Sequence, residues 1–103
     1  MHIPPNFNTV TPYFFVHDAQ AFVRFLIEGL AGVETCRTLR PDGQIANAQI
    51  RLGGSTVMVS EATAHYPAMS ASYYLYVEDA DAAMKRALDH GATLEMAVAD
   101  MPY

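Results

Sequence analysis

The chain has 103 residues, 51% of them apolar, and its 6 basic and 11 acidic side chains give a formal net charge of −5. This composition excludes a disordered chain, and the negative charge argues against nucleic acid or an anionic membrane surface as a partner. We expect one domain-sized unit with a core of its own.

The first residues have neither the basic nor the apolar segment of a signal peptide, and no apolar run approaches the roughly 20 residues of a membrane span. We therefore expect a cytoplasmic protein that makes no membrane contact. Cys36 is the single cysteine, so the chain forms no internal disulfide.

The first module, residues 1–61, predicts the order β-α-β-β-β. Its first strand is expected over residues 10–16 and leads directly into a helix with apolar residues at helical spacing. Asp18 is the candidate N-cap of this helix, because a short carboxylate accepts from the unpaired N–H groups of the first turn. Gly32 is the expected left-handed stop.

Three further strands are predicted over residues 33–39, 45–52 and 55–61. The second of them alternates apolar and polar side chains, which is typical of a half-buried strand. Gly53 and Gly54 then predict a tight hairpin between the second and the third.

One segment of the sequence occurs twice in similar form. Residues 13–21 read YFFVHDAQA, and residues 74–82 read YLYVEDADA. In each copy a strand-like run meets an Asp, and a helical period begins at once. The sequence therefore predicts a duplicated module, with residues 62–71 as the linker and residues 72–103 as the second module.

In the second module we predict a strand over residues 72–77, a helix over 79–90 and a further strand over 93–99, followed by the start of a loop. Measured against the first module, two strands are missing. We therefore expect the native protein to be longer than this chain, or its closing strands to be replaced by those of a neighbour.

Three segments carry a resemblance to a known superfamily: TPYFFV at 11–16, AQIRLGGSTVMVSE at 48–61 and YVEDAD at 76–81. With the order of the elements, they resemble the vicinal oxygen chelate superfamily, which includes glyoxalase I, bleomycin-resistance proteins and extradiol dioxygenases, and most closely its PhnB-like branch. The resemblance implies an α+β fold in which paired βαβββ modules form a curved mixed sheet. Helices cover its convex face, a ligand cavity lies on its concave face, and the second module here lacks its last two strands.

Alternation along the strands then assigns side chains to the two faces of the implied sheet. The residues expected to meet the helix include Ala46, Ala48, Ile50 and Leu52. The concave face is expected to carry Val57 and Val59, together with the predicted ligand-binding residues Tyr13, Phe15, Gln49, Arg51, Glu61, Tyr74 and Tyr76. Aromatic walls with a few polar anchors are the usual make-up of a small-molecule site.

Two roles remain open for the predicted polar anchors, Glu61 and Arg51, and for the aromatic walls Tyr74 and Tyr76. Glu61 is a general base or an amine partner in one interpretation, and a solvated carboxylate or a partner of Arg51 in the other. Arg51 is an anchor for an anionic group or a charge at a strand end. Tyr74 and Tyr76 stack on a ligand or pack in the core.

Glyoxalase-like members bind a divalent metal through His, Glu or Gln, and the positions that correspond here are Thr11, Val59 and Ser72. Hydroxyls and a valine are poor ligands for such ions, so we expect no metal and no other cofactor. The four histidines are dispersed along the predicted elements and do not converge on one place.

The favoured hypothesis is a metal-independent small-molecule-binding protein that forms a homodimer, with exchange of modules between chains as one way to build it. The first rival is an enzyme, namely a lyase, dioxygenase or transferase whose ligands lie in the missing strands or in a partner chain. The second rival is a protein with a filled cavity that acts only through dimerisation. The sequence leaves open whether a reaction is catalysed.

Overall fold

The computed structural model describes residues 2–96 and 98–99, in which one mixed sheet packs against a helix. The elements are β1 (Tyr13–Val16), α1 (Ala19–Glu28), β2 (Val33–Leu39), β3 (Ile45–Leu52), β4 (Ser55–Glu61) and α2 (Ala80–Asp89). The strands lie in the order β1-β4-β3-β2, with β1 parallel to β4 and the other neighbours antiparallel. An α+β fold is therefore confirmed. Neither helix is long and apolar enough to cross a membrane, and the described residues contain no other candidate.

Helix α1 covers one face of the sheet and forms the core with it. Asp18 caps the helix as predicted, because its carboxylate accepts from the N–H of Ala21 at 3.2 Å. Val23 and Leu26 point from the helix into the sheet and are almost fully buried. The remaining buried members of this cluster are Phe14, Ala19, Ile45, Ala48, Ile50, Val57 and Val59.

The turn after α1 differs from the prediction. Ala31, not Gly32, takes the left-handed conformation, with φ 61°. A Cβ on Gly32 would lie 2.8 Å from both Ile50 Cγ2 and the Leu26 carbonyl oxygen. Glycine is needed at this position because the turn passes so close to the sheet that a side chain would not fit, and not because the backbone takes a left-handed conformation there.

The hairpin between β3 and β4 sets which side chains share a face. Its two-residue turn pairs Leu52 with Ser55, and the register then places Val57 opposite Ile50 and Val59 opposite Ala48. Directly opposite residues project to the same face of a sheet. Val57 and Val59 therefore belong to the core under α1, and their predicted place on the ligand face is wrong.

Ala46 also lies on the face opposite to the predicted one. Strand β2 pairs Thr38 with Asn47 and Leu39 with Ile45, so Ala46 is an extra residue in β3. Such a bulge breaks the alternation, because two residues on one strand then oppose one on the other. As a result Ile45 is buried in the core, and Ala46 faces away from α1.

The second half of the described chain contains a helix but no second sheet. Asp79 caps α2 as predicted, since its carboxylate accepts from the N–H of Ala82 at 3.0 Å. The strand predicted over 72–77 is wrong, because the structure assigns no strand there. Of the strand predicted over 93–99, the described residues 93–96 and 98–99 are not assigned to a strand either. Residue 97 and the loop predicted from residue 100 lie outside the described residues.

Candidate functional site

The open face is the sheet surface that faces away from α1. Its central side chains come from three adjacent strands and are Tyr13, Phe15, Asn47, Gln49, Met58 and Ser60. The register places Tyr13 beside Met58, and Met58 in turn beside Gln49. Three of the predicted ligand residues, Tyr13, Phe15 and Gln49, are thereby brought together.

A stack of three aromatic rings lies on the open face. The rings of Tyr13 and Phe15 are 4.8 Å apart at an interplanar angle of 23°, and Tyr66 stacks on Phe15 at 5.2 Å and 12°. A tight turn holds Tyr66 there, because its N–H donates to the Thr63 hydroxyl and its carbonyl accepts from the Thr63 N–H. The predicted linker thus folds back onto the face and adds a ring that sequence reasoning missed.

A chain of hydrogen bonds crosses the same face and runs in one direction. Ser60 Oγ donates to the Ala46 carbonyl at 2.6 Å and lies 2.6 Å from Tyr13 Oη. Because a hydroxyl has one proton, Tyr13 must be the donor in the second contact. Its oxygen then accepts from Asn47 Nδ2 at 3.2 Å. The phenol proton of Tyr13 is therefore committed within the protein.

Arg40 brings a positive charge to the stack. Its Nη2 donates to the Glu61 carbonyl at 2.9 Å, which fixes the guanidinium at the end of β4. Together with the three rings, Ala46 and Ser60, it lines a cavity of about 380 Å³. Sequence reasoning missed Arg40 because it belongs to a turn, and strand alternation assigns no face to turn residues.

The N-terminal segment covers the neighbouring part of the open face. The Thr56 hydroxyl donates to the Asn6 carbonyl at 2.7 Å, and Asn8 Nδ2 donates to Ser55 Oγ at 2.9 Å. A second cavity of about 530 Å³ lies between this segment and Gln49. Arg51 is opposite Thr56 in the register and is half-buried beside this segment, so its anchoring role stays a prediction.

Glu61 does not project into either open-face cavity. Its carboxylate accepts from the backbone N–H groups of Asp18 at 3.0 Å and Ala19 at 2.9 Å, at the start of α1. The positive end of a helix dipole and its unpaired N–H groups favour a carboxylate at that place. The predicted orientation toward a ligand is therefore wrong, and Glu61 joins the sheet to the helix.

The predicted walls Tyr74 and Tyr76 lie on the other side of the sheet from Tyr13. They line a third cavity of about 530 Å³, the helix-side groove, whose lining includes Phe14, Phe22, Leu26, Tyr73, Tyr74 and Tyr76. Tyr73 packs on Phe14 with ring centroids 4.8 Å apart, as its predicted direction toward the helix requires. Within this chain the structure therefore divides the predicted tyrosine walls between two faces.

The residues at the superfamily's metal positions do not fit a divalent ion. Val59 offers no donor atom and is fully buried in the core. The Thr11 hydroxyl is turned to the Asn8 carbonyl at 3.5 Å, and Ser72 is exposed. No three His, Cys, Asp or Glu side chains lie together as a metal site in the part of the chain that the structure describes.

Comparison with known proteins places the chain among relatives of unassigned function. It is 30% identical over 105 residues to the uncharacterized protein Mb0911c of Mycobacterium bovis, with 88% of this chain and 67% of that protein aligned. The chain belongs to the family of Mb0911c. The uncharacterized protein Rv0887c of Mycobacterium tuberculosis matches at the same identity, with 60% of its length aligned. The chain thus spans about two thirds or less of these relatives, and no family model matches it.

Two solved structures share the fold. TioX from Micromonospora sp. ML1 aligns with a TM-score of 0.69 over 93% of this chain and 80% of that one. The Arabidopsis thaliana gene product At5g48480 aligns with a TM-score of 0.67 over 88% of this chain and 80% of its own. Both are 22% identical, so the likeness concerns fold alone. It shows that this chain has a fold related to those of the two proteins.

Proposed function

We propose that this chain is a cytoplasmic small-molecule-binding protein of the glyoxalase and bleomycin-resistance type, from the PhnB-like branch, and that it binds without a divalent metal. Its ligand is a planar aromatic molecule that carries an anionic group. The observation that carries the proposal is the three-ring stack of Tyr13, Phe15 and Tyr66 beside the Arg40 guanidinium, in one cavity of about 380 Å³.

The chemistry of the cavity supports this class of ligand. Aromatic faces favour a planar partner in an offset stack. A guanidinium has five N–H groups and recognises a carboxylate or phosphate in a two-pronged contact. The bond from Arg40 to the Glu61 carbonyl uses one of those five groups and holds the rest of the head beside the rings.

The same contacts favour binding over catalysis. A general acid or base must hand a proton to the reacting group or take one from it. The phenol of Tyr13 instead donates to Ser60 and accepts from Asn47. Glu61 is occupied by the start of α1. Tyr13 and Glu61, two side chains near the cavity that could transfer a proton, are thus both engaged in the fold.

Calorimetric titration with 1-naphthoate and its neutral analogue 1-naphthamide tests the proposal. We expect Tyr66→Ala to weaken both ligands, because both lose a stacking surface. Arg40→Gln should weaken naphthoate by about tenfold or more and leave naphthamide within about twofold, because only the carboxylate uses the guanidinium. Arg24→Gln, an exposed arginine on α1, is the matched control.

Two results would contradict the proposal. One is that neither 1-naphthoate nor 1-naphthamide binds at millimolar concentration. The other is equal weakening of naphthoate by Arg40→Gln and Arg24→Gln, which would show a general effect of net charge and not a contact in the cavity.

A further inference from the structure

The hydrogen-bond chain on the open face continues past Tyr13. Asn47 Nδ2 donates to Tyr13 Oη, so the carbonyl oxygen of the Asn47 amide is turned the other way. Gln49 Nε2 lies 3.5 Å from that oxygen, Asn47 Oδ1. The opposite orientation of the Gln49 amide would bring two carbonyl oxygens together, and neither has a proton to share. The Gln49 amide therefore turns its NH₂ group to Asn47.

The direction of this chain is fixed at its far end by a backbone group. The Ala46 carbonyl can only accept, so Ser60 donates to it and in turn accepts from Tyr13. Each further donor and acceptor follows from that first bond, and the sequence of bonds ends at Gln49. The orientation of the Gln49 amide is thus set from a distance, through Asn47.

The two ends of the hydrogen-bond chain lie in different cavities. Tyr13, Ala46 and Ser60 line the cavity of about 380 Å³ beside the ring stack. Gln49 instead lines the N-terminal cavity, the space of about 530 Å³ between the N-terminal segment and the sheet. Asn47 is half-buried between them and lines neither cavity. It is therefore the link through which one cavity sets the polarity of the other.

Gln49 presents an acceptor to the N-terminal cavity. The oxygen and the nitrogen of an amide lie on opposite sides of the side-chain axis, so the end turned away from Asn47 is Oε1. Among the residues that the structure describes, none donates a hydrogen bond to Gln49 Oε1. A ligand that covered this oxygen without donating to it would leave an acceptor unsatisfied, which costs binding free energy.

The rest of the N-terminal cavity suits a neutral, largely apolar molecule. Its apolar lining residues are Ile3, Pro4, Phe7 and Met58. No Asp, Glu, Lys or Arg side chain lines it within the described part of the chain. Its volume falls in the range of ordinary small-molecule sites.

We propose that the N-terminal cavity binds a neutral, largely apolar molecule that donates an N–H or O–H hydrogen bond to Gln49 Oε1. In this proposal Asn47 is the positioning residue, because its contact with Gln49 sets the preference for a donor. The proposal goes beyond the function proposed above, since it concerns a different cavity and does not involve Arg40. Failure of 1-naphthoate to bind beside the ring stack would leave it standing.

A comparison of indole with benzofuran tests the preference for a donor. The two molecules have nearly the same size and shape, but indole has an N–H where benzofuran has an oxygen. The ¹³C-methyl signal of Met58, assigned with the Met58→Leu variant, reports binding, because Met58 lines the N-terminal cavity and not the cavity beside the stack. We expect both molecules to shift this signal, and indole to bind about fivefold or more tightly than benzofuran.

Variants of Asn47 and Gln49 test how the preference arises. In Asn47→Leu the Gln49 amide can turn either end to the cavity, so the two affinities should come within about twofold of each other. Asn47→Asp should restore the preference, because a carboxylate oxygen again accepts from Gln49 Nε2. Gln49→Leu should remove the preference by removing the acceptor. The control is Thr35→Val, since the Thr35 hydroxyl contacts only the backbone carbonyl of Gln49, at 3.3 Å, and the preference should remain.

Circular dichroism melting confirms that each variant is folded. Three results would overturn the proposal. The first is a Met58 methyl signal that indole does not shift at millimolar concentration. The second is equal affinity of the unaltered chain for indole and benzofuran. The third is a preference for indole that survives in both Asn47→Leu and Gln49→Leu.

Discussion

The carboxylate of Glu61 accepts a hydrogen bond from the backbone N–H of Ala19 at 2.9 Å, and so joins the end of β4 to the first residue of α1. Its second oxygen accepts from the N–H of Asp18 at 3.0 Å. Asp18 has φ 57° and sends its own carboxylate to Ala21. Two acidic side chains therefore share the unpaired N–H groups at this helix start.

Glu61→Gln should destabilise the fold by about 1–2 kcal/mol, because an amide keeps one acceptor oxygen but removes the negative charge at the positive end of the helix. Urea denaturation followed by circular dichroism measures the change. Glu95→Gln, at an exposed position, is the control and should change the free energy of unfolding by less than about 0.5 kcal/mol. Equal effects of the two variants would contradict a specific role for Glu61.

Gly32→Ala should destabilise the protein by about 1–3 kcal/mol, since the added Cβ would meet Ile50 Cγ2 and the Leu26 carbonyl at 2.8 Å. Thermal unfolding provides the measurement. The control is Gly54→Ala in the hairpin, where a Cβ would meet nothing within 4 Å. A Gly32→Ala protein as stable as the Gly54→Ala protein would mean that the turn relaxes freely.

Arg86 should hold α2 against the end of α1. Its Nε donates to the Glu28 carbonyl at 2.5 Å and its Nη2 to the Ile27 carbonyl at 3.4 Å, where the last carbonyls of a helix need partners. Arg86→Ala should therefore lower hydrogen-exchange protection in α2 by about tenfold and leave the amides of β3 unchanged. Lys85→Ala, which removes only an exposed pair with Asp89, is the control. Unchanged protection of α2 in the Arg86 variant would contradict this role.

Tyr13→Phe separates the ring from its hydroxyl. The ring and its stack on Phe15 remain, but the bonds to Ser60 and Asn47 are lost. We expect a loss of about 1 kcal/mol in unfolding free energy and a change of less than about threefold in naphthoate affinity. Tyr66→Phe serves as the comparison, because the same atom is removed from the exposed end of the stack. A large loss of affinity in Tyr13→Phe alone would show that the hydroxyl contacts the ligand.

The elements of the first module could be predicted because local chemistry dictates them. The predicted bounds of β2, β3 and β4 agree with the structure, since turn residues and alternation mark both ends of each strand. The faces were harder to predict. The face of Val57 could have been predicted from the sequence. A two-residue turn at Gly53 and Gly54 places Val57 opposite Ile50, and opposite residues share a face. The sequence around Ala46 gives no sign of the bulge, because the bulge arises from the pairing of β3 with β2.

The candidate site was predictable only in part. Tyr13, Phe15 and Gln49 could be assigned to one face because they lie on strands with a regular period. Tyr66 and Arg40 lie in irregular segments, so their arrival at the stack depends on tertiary contacts such as the Arg40 bond to the Glu61 carbonyl. The strand predicted over 72–77 followed from the repeat, but a strand requires a neighbour as well as a suitable sequence.

Glu61 is held through both its backbone and its side chain. Its backbone carbonyl accepts from the Arg40 guanidinium, and its carboxylate accepts from the backbone N–H groups at the start of α1. A ligand that moves the Arg40 guanidinium therefore also acts on Glu61, the residue that joins β4 to the start of α1. The amide resonance of Ala19 then becomes a spectroscopic reporter of occupancy, although it lies outside the lining of the cavity it reports on. A two-dimensional NMR titration could follow ligand capture at that one peak.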